Sequence, residues 1–281
     1  FNLGMAVASL LAGLLAEASF LALFLVDAAA TLAAAVVIGW KVPETLTLTR
    51  ARSARSPDHG HRTARTGGAR RPRRPGLHTA LTDRTFLVFV GLTFVLAVLT
   101  MQTSTIMPLA MRADGLGPSA YGTVVAVGGA LIVLGQLFVP RLVDRHRKGV
   151  VLAASTALLA LGFGALAFAG TLPAYLAAAV VWTAGSMLAA PPNAQINADL
   201  APPGLRARYQ SVFYLAFPAA SFVAPALGGL SLQHLGDRHW LIVGALGLLA
   251  AGGHLLAGPP RERHVAALRH GEKQHLARTA G

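Results

Sequence analysis

GVVLAASTALLALGFGALAFAGTLPAYLAAAVVWTAGSMLAAPPNAQINA, residues 149–198, contains no Asp, Glu, Lys or Arg. About 20 apolar residues rising about 1.5 Å each cross the hydrocarbon core of a bilayer. The stretch is therefore long enough for two crossings, with a turn at Gly170-Thr171-Leu172-Pro173. Working outward, 85–111, 115–140, 209–236 and 239–260 are equally free of charge. Nearer the start, 2–16 and 20–40 read the same way, interrupted only by Glu17 and Asp27. The pattern predicts eight spans, at 2–16, 20–40, 86–108, 119–140, 149–169, 173–192, 209–230 and 238–258. The expected fold class is all-α, a polytopic membrane helix bundle.

The cations fall on alternate sides of these spans. Residues 41–84 hold eleven Lys and Arg, 141–148 hold four, 206–208 hold two and the tail beyond 260 holds five. Only Arg112 and Arg238 lie on the other side. Cytoplasmic loops retain Lys and Arg, so both termini and the 41–84 loop are expected in the cytoplasm and the protein in the plasma (inner) membrane. The net charge of +13 is then a topology signal. It is not the footprint of a nucleic-acid partner, because the charges sit on loops pinned to a membrane.

At 54% hydrophobic and 12% charged, the composition is not that of a soluble globular protein. The absence of Cys removes disulfides, thiolate metal sites and thiol catalysis. A membrane enzyme acting on lipid needs clustered His, Asp, Glu or Ser near the interface. No loop carries such a set, so no catalytic residue, metal site or cofactor is expected. The chain opens at Phe1 inside an apolar run, without a basic n-region or cleavage site. Further spans upstream are the expectation.

Four regions follow: two spans in 1–40, a basic linker at 41–84, six spans in 85–260 and a tail at 261–281. The linker is Arg-, Gly-, Pro-, Ser- and His-rich from Arg50 to Pro75 and has too little apolar content to bury a core. A short interfacial helix is expected to open the segment 77–89. The tail sets Val265, Ala266, Ala267 and Leu268 among Arg and His, which suits either a helix on the membrane surface or a solvated, disordered end. A faint internal echo lays 1–14 over 217–230, with Phe1 on Phe217, Val7 on Val223, Gly13 on Gly229 and Leu14 on Leu230. Secondary transporters are built from related halves.

Three motifs carry a resemblance. Pro140-Arg141-Leu142-Val143-Asp144-Arg145-His146-Arg147-Lys148 resembles the loop signature of the major facilitator superfamily, which joins the second and third helices of each half. Leu142, Asp144, Arg145 and Lys148 match it, while Pro140 and Arg147 stand where the family prefers Gly. Ala224-Pro225-x-x-Gly228-Gly229 is similar to the family's antiporter-type helix, and Ala8-Ser9-x-x-Ala12-Gly13 is a reduced copy. The run from Leu200 to Ser211 resembles the loop leading into helix eleven of drug-exporter members. Tyr121-Gly122 with Gln136, and the stretch Leu23 to Asp27 with Val42-Pro43-Glu44, fit the same branch.

The resemblance implies helices five to twelve of a twelve-helix, monomeric secondary transporter. It implies alternating access and proton-coupled efflux of small, drug-like solutes, with lipid, substrate and protons as partners. The acids implicated in such exporters lie on the family's first helix. A truncated, transport-incompetent product or membrane assembly partner is the alternative.

Candidate residues follow. Asp144 and Arg145 read as a conformational latch or as ordinary solvated loop charges. Pro225, Gly228, Gly229 and Gly13 lack bulk, so helices can approach and slide there or simply pack tightly. Gln102, Gln136, Tyr214 and Phe217 could line a substrate cavity, or bond neighbouring helices. Asp27 is an acid well inside a span, where insertion costs about 2.5–3.5 kcal/mol at the bilayer centre. A structural hydrogen bond suits its shallow depth better than proton coupling. Glu17 is expected to be solvated in the outer turn, and His234 and His254 interfacial near helix ends.

Overall fold

The computed structural model describes residues 2–41 and 77–279, and every described element is helical. In chain order these are α1 (Asn2–Ala18), α2 (Phe20–Lys41), α3 (Leu77–Thr82), α4 (Arg84–Thr105), α5 (Met107–Ala113) and α6 (Pro118–Gly135). There follow α7 (Val139–Asp144), α8 (Lys148–Ala165), α9 (Leu172–Leu200), α10 (Arg206–Leu235), α11 (Arg238–Leu256) and α12 (Gly258–Thr279). Seven helices are long and apolar enough to cross a membrane, and α1 is a shorter apolar helix of 17 residues. A backbone in hydrocarbon must satisfy its polar groups internally, which is why these runs become helices. Most of the linker, 42–76, lies outside the described residues.

The helix boundaries follow local chemistry. Asp83 caps α4, its carboxylate accepting the Phe86 amide at 3.1 Å. Gly117 precedes Pro118 at the start of α6, and Thr171 precedes Leu172-Pro173 at the start of α9. Two expected spans are shorter than the hydropathy suggested. The 86–108 span ends at Thr105, where the chain bends before Pro108, and the 119–140 span ends at Gly135, with a turn before Pro140. Two are longer: α9 runs on through Pro191 and Pro192 to Leu200, and α10 from Arg206 to Leu235. Hydropathy marks the apolar part of a helix and does not by itself set its ends.

Two compact units are present. The smaller, Ala18–Arg74, contains α2, which is exposed along its length and apolar. The larger unit holds α1 up to Glu17 and everything from Pro75 onward. Within it, α8 packs against α9 and α11, α4 against α10 and α11, and α6 against α9. Lipid is as apolar as Leu, so close backbone approach and side-chain packing hold such helices together. At the α8–α9 crossing a Cβ on Gly162 would lie 2.6 Å from the Trp182 amide nitrogen, so only Gly permits that approach. The freed space is used by aromatic stacking, with the Phe163 ring centroid 5.1 Å from Trp182 and 6.3 Å from Trp240. A second seam joins α4 to α10 through Phe86–Tyr209 at 4.5 Å and Phe89–Phe213 at 5.8 Å.

The tail expectation resolves to a helix. Residues 258–279 continue the chain as α12, held by ion pairs described below.

Candidate functional site

The starts of α4, α8, α10 and α12 and the ends of α7, α9 and α11 gather at one end of the larger unit, where most of its cations lie. Asp144 ends α7 and Arg145 is its C-cap, both exposed. Among the described residues neither forms an ion pair. The pairs fall beyond His146: the Arg147 guanidinium grips Glu262 of α12 at 2.6 and 3.3 Å, and Lys148 reaches Asp199 of α9 at 2.9 Å. Arg269 of α12 donates to the other Asp199 oxygen at 3.0 Å. The hydrogen bonds that Arg147 donates to Glu262, and then that carboxylate's charge, hold Arg147 above its ordinary guanidinium value. Asp83 ties in α4 and α10, accepting the Tyr209 hydroxyl at 3.1 Å, with His264 Nε2 of α12 at 3.4 Å.

Arg261 is only 3% exposed. It donates from Nε to Ala257 O at 3.0 Å and from Nη2 to His254 O at 2.8 Å, capping the carbonyls that end α11. Its guanidinium also lies 5.8 Å from the Phe89 ring centroid. Burial pushes Arg261 below its ordinary value and the nearby Glu262 opposes the shift. His254, in the last turn of α11, is fully buried under this cap.

Also toward this end, a cavity of about 300 Å³ opens between the α6–α7 turn and α9. Gln136 and Ser186 supply its polar groups, and Ile132, Val139, Met187 and Pro191 its apolar walls. Pro191 lacks an N–H, so the Met187 carbonyl has no helical donor. Small-molecule sites combine apolar walls with a few polar groups in this way.

The other cavity candidates separate. Gln102 is 2% exposed and sealed between helices: Nε2 donates to Val98 O at 3.3 Å and Oε1 lies 3.3 Å from His239 Nε2 of α11. Tyr214 is exposed and Phe217 half-buried on α10, both packed edge-on against Phe213. Gly228 admits Ile106, whose Cγ1 would lie 2.8 Å from a Cβ there. Gly229 has nothing within 4 Å of that position, and Pro225 is exposed. Gly13 lies against Pro118, Ser119 and Gly122 of α6. Beside it Glu17, exposed in the last turn of α1, accepts the Ser119 hydroxyl and amide. Asp27 is exposed on α2.

Sequence reasoning passed over Asp199, Glu262, Arg261 and Arg269, and the buried Thr93–Asn193 hydrogen bond of 3.1 Å between α4 and α9. Asp199 carried a usable signal, being the first charge after the long charge-free run. Thr93 and Asn193 carried none, being far apart in sequence and chemically ordinary.

The family model of the Major Facilitator Superfamily matches residues 1–225 and 93–279. The chain is similar to an uncharacterized MFS-type transporter, YttB, of Bacillus subtilis, 31% identical over 139 residues, or 49% of this chain and 35% of that protein. It is also similar to the multidrug resistance protein MdtH of Aeromonas hydrophila, 27% identical over 183 residues, or 63% of this chain and 46% of that protein. The chain thus spans less than half the length of each of these relatives. Among solved structures, a POT family transporter in complex with 5-aminolevulinic acid shares the fold, with a TM-score of 0.57 at 13% identity over 66% of this chain and 45% of that one. With its described helices, seven of them long and apolar enough to span a bilayer, and a family match over most of its length, this chain belongs to the Major Facilitator Superfamily.

Proposed function

We propose that the protein moves small organic solutes across the plasma membrane by alternating access, as a proton-coupled exporter of drug-like compounds. In this reading α1 and α2 are the last two helices of one half, and α4, α6, α8, α9, α10 and α11 form the other. The linker lies between them, and the basic end and both termini face the cytoplasm. The two overlapping family matches, 1–225 and 93–279, support related halves. The excess of Lys and Arg at one end supports the orientation. Similarity to a protein named for multidrug resistance supports export.

The observation that carries the reading is the cavity beside Gln136 and Ser186, set between two helices near the end that the ion pairs tie together. Exposed pairs contribute about 0–1 kcal/mol each. They can therefore break and re-form between states without threatening the fold. The test follows a fluorescent lipophilic cation in cells overproducing the protein, with and without a protonophore. Reduced accumulation that the protonophore restores supports proton-coupled export. Enhanced accumulation would keep transport and discard export, and unchanged accumulation across a panel of such solutes would discard the drug-exporter reading.

A further inference from the structure

The rim holds a second cleft, of about 410 Å³, between the first turn of α8, the end of α9 and the start of α12. Four cations line it, Arg147, Lys148, Arg261 and Arg269, against two carboxylates, Asp199 and Glu262. The pairing leaves the charge unbalanced. Glu262 is engaged by Arg147, and Asp199 is shared by Lys148 and Arg269. Arg261 is the cation without a carboxylate partner in the cleft. Its Nη1 is buried and has no hydrogen-bond partner among the described residues. A buried donor left in that condition is costly.

The backbone adds to this field. Arg147 is the N-cap of α8 but makes no side-chain capping bond. The Val150 and Val151 amides bond to Arg147 O, and the first turn of this 18-residue helix brings the positive end of its dipole to the cleft. A Cβ on Gly149 would lie 3.4 Å from Arg261 Nη2, so no side chain separates that first turn from the guanidinium. An oxyanion there would meet the start of α8 on one side and the Arg261 guanidinium on the other, a pairing of charges that suits phosphate. Ile196, Val265 and Ala266 give the cleft an apolar wall beside the charges.

We propose that this cleft binds a phosphate group, carried either by an anionic lipid headgroup or by a free phosphate anion. The site is separate from the Gln136 cavity and does not depend on the transport reading.

The test uses the purified chain in detergent and two probes: sodium phosphate against sodium chloride at equal ionic strength, and phosphatidylglycerol against phosphatidylcholine in nanodiscs. Readouts are the thermal unfolding midpoint and the number of adducts retained in native mass spectrometry. Arg261→Gln removes the unpartnered donor. Because Arg261 also caps α11, Ala266→Glu serves as a second variant, placing a carboxylate on an exposed part of the same wall. One retained adduct and a raised midpoint are expected for the native chain. Ala266→Glu should weaken binding by roughly tenfold or more through like-charge repulsion. A response to phosphatidylglycerol alone identifies the lipid, and a response to inorganic phosphate identifies the free anion. No response to either probe overturns the proposal, as does an equal response in the native chain and Ala266→Glu.

Discussion

Gly13 of α1 and Gly122 of α6 meet backbone to backbone: a Cβ on Gly13 would lie 3.3 Å from the Gly122 Cα, and one on Gly122 would lie 2.6 Å from Ser9 O. Neither neighbour is a flexible side-chain tip that could swing aside. Gly122→Val should therefore force the helices apart and destabilise the protein by about 1–3 kcal/mol, the usual range for overpacking. Gly229→Ala, with nothing within 4 Å of its Cβ, should be neutral or gain up to about 1 kcal/mol from helix propensity. Thermal unfolding in one detergent compares the two. Equal losses would mean that the α1–α6 approach is not tight.

The two glutamines grouped as cavity residues should behave differently. Gln102→Leu removes the partner of His239 Nε2, whose ring Nδ1 already has none among the described residues. A buried group left unpaired costs about 1–3 kcal/mol. Gln136→Leu changes an exposed side chain at the mouth of a cavity and should stay within about 0.5 kcal/mol. Denaturation midpoints measure both, and a Gln102→Leu variant as stable as the native chain would remove the structural role given to that pair.

Much of this architecture is legible in composition alone. Charge-free runs identify the spanning helices because lipid penalises every charge in the same way, wherever the helix packs. The sidedness of Lys and Arg is legible for the same reason. Pairings are not. Asp144 and Arg145 sit in the recognisable motif, yet the ion pairs belong to Arg147 and Lys148, because α7 ends at Asp144 and leaves those two residues to start α8 facing α9 and α12. Gln102 and Gln136 are equivalent to any hydropathy scale. Only the packing of α4 against α10 and α11 buries the first while the turn before Pro140 exposes the second. Arg261 reads as one more tail cation until α12 brings it over the end of α11.

The ion pairs at the rim predict where a latch acts. Asp199→Asn weakens two contacts at once, to Lys148 and Arg269, and its side chain is 28% exposed. Each pair should contribute no more than about 1 kcal/mol to stability, so folding should survive. Turnover should fall, and fall further than in Asp144→Asn, since Asp144 forms no ion pair among the described residues. Solute flux at matched expression decides. A larger loss in Asp144→Asn would return the latch to the motif's own acid.

The cavity between the α6–α7 turn and α9 makes the sharpest demand on the transport reading. Its volume is about 300 Å³, and Ser186 stands on its α9 wall, so Ser186→Trp should fill much of it. Ser186 is half-buried rather than locked in the core, so the added ring can enter the cavity without displacing a helix. The expected result is a rise in KM or loss of solute binding, with the unfolding midpoint held. Leu249→Trp on the exposed face of α11 adds a ring of the same size far from the cavity and should leave KM and turnover as they are. If Ser186→Trp transports with native KM, solute passes elsewhere and the cavity is only a packing defect. If it loses stability as well as flux, Ser186→Leu, with a smaller side chain, distinguishes blockage from collapse: blockage should then scale with the volume added.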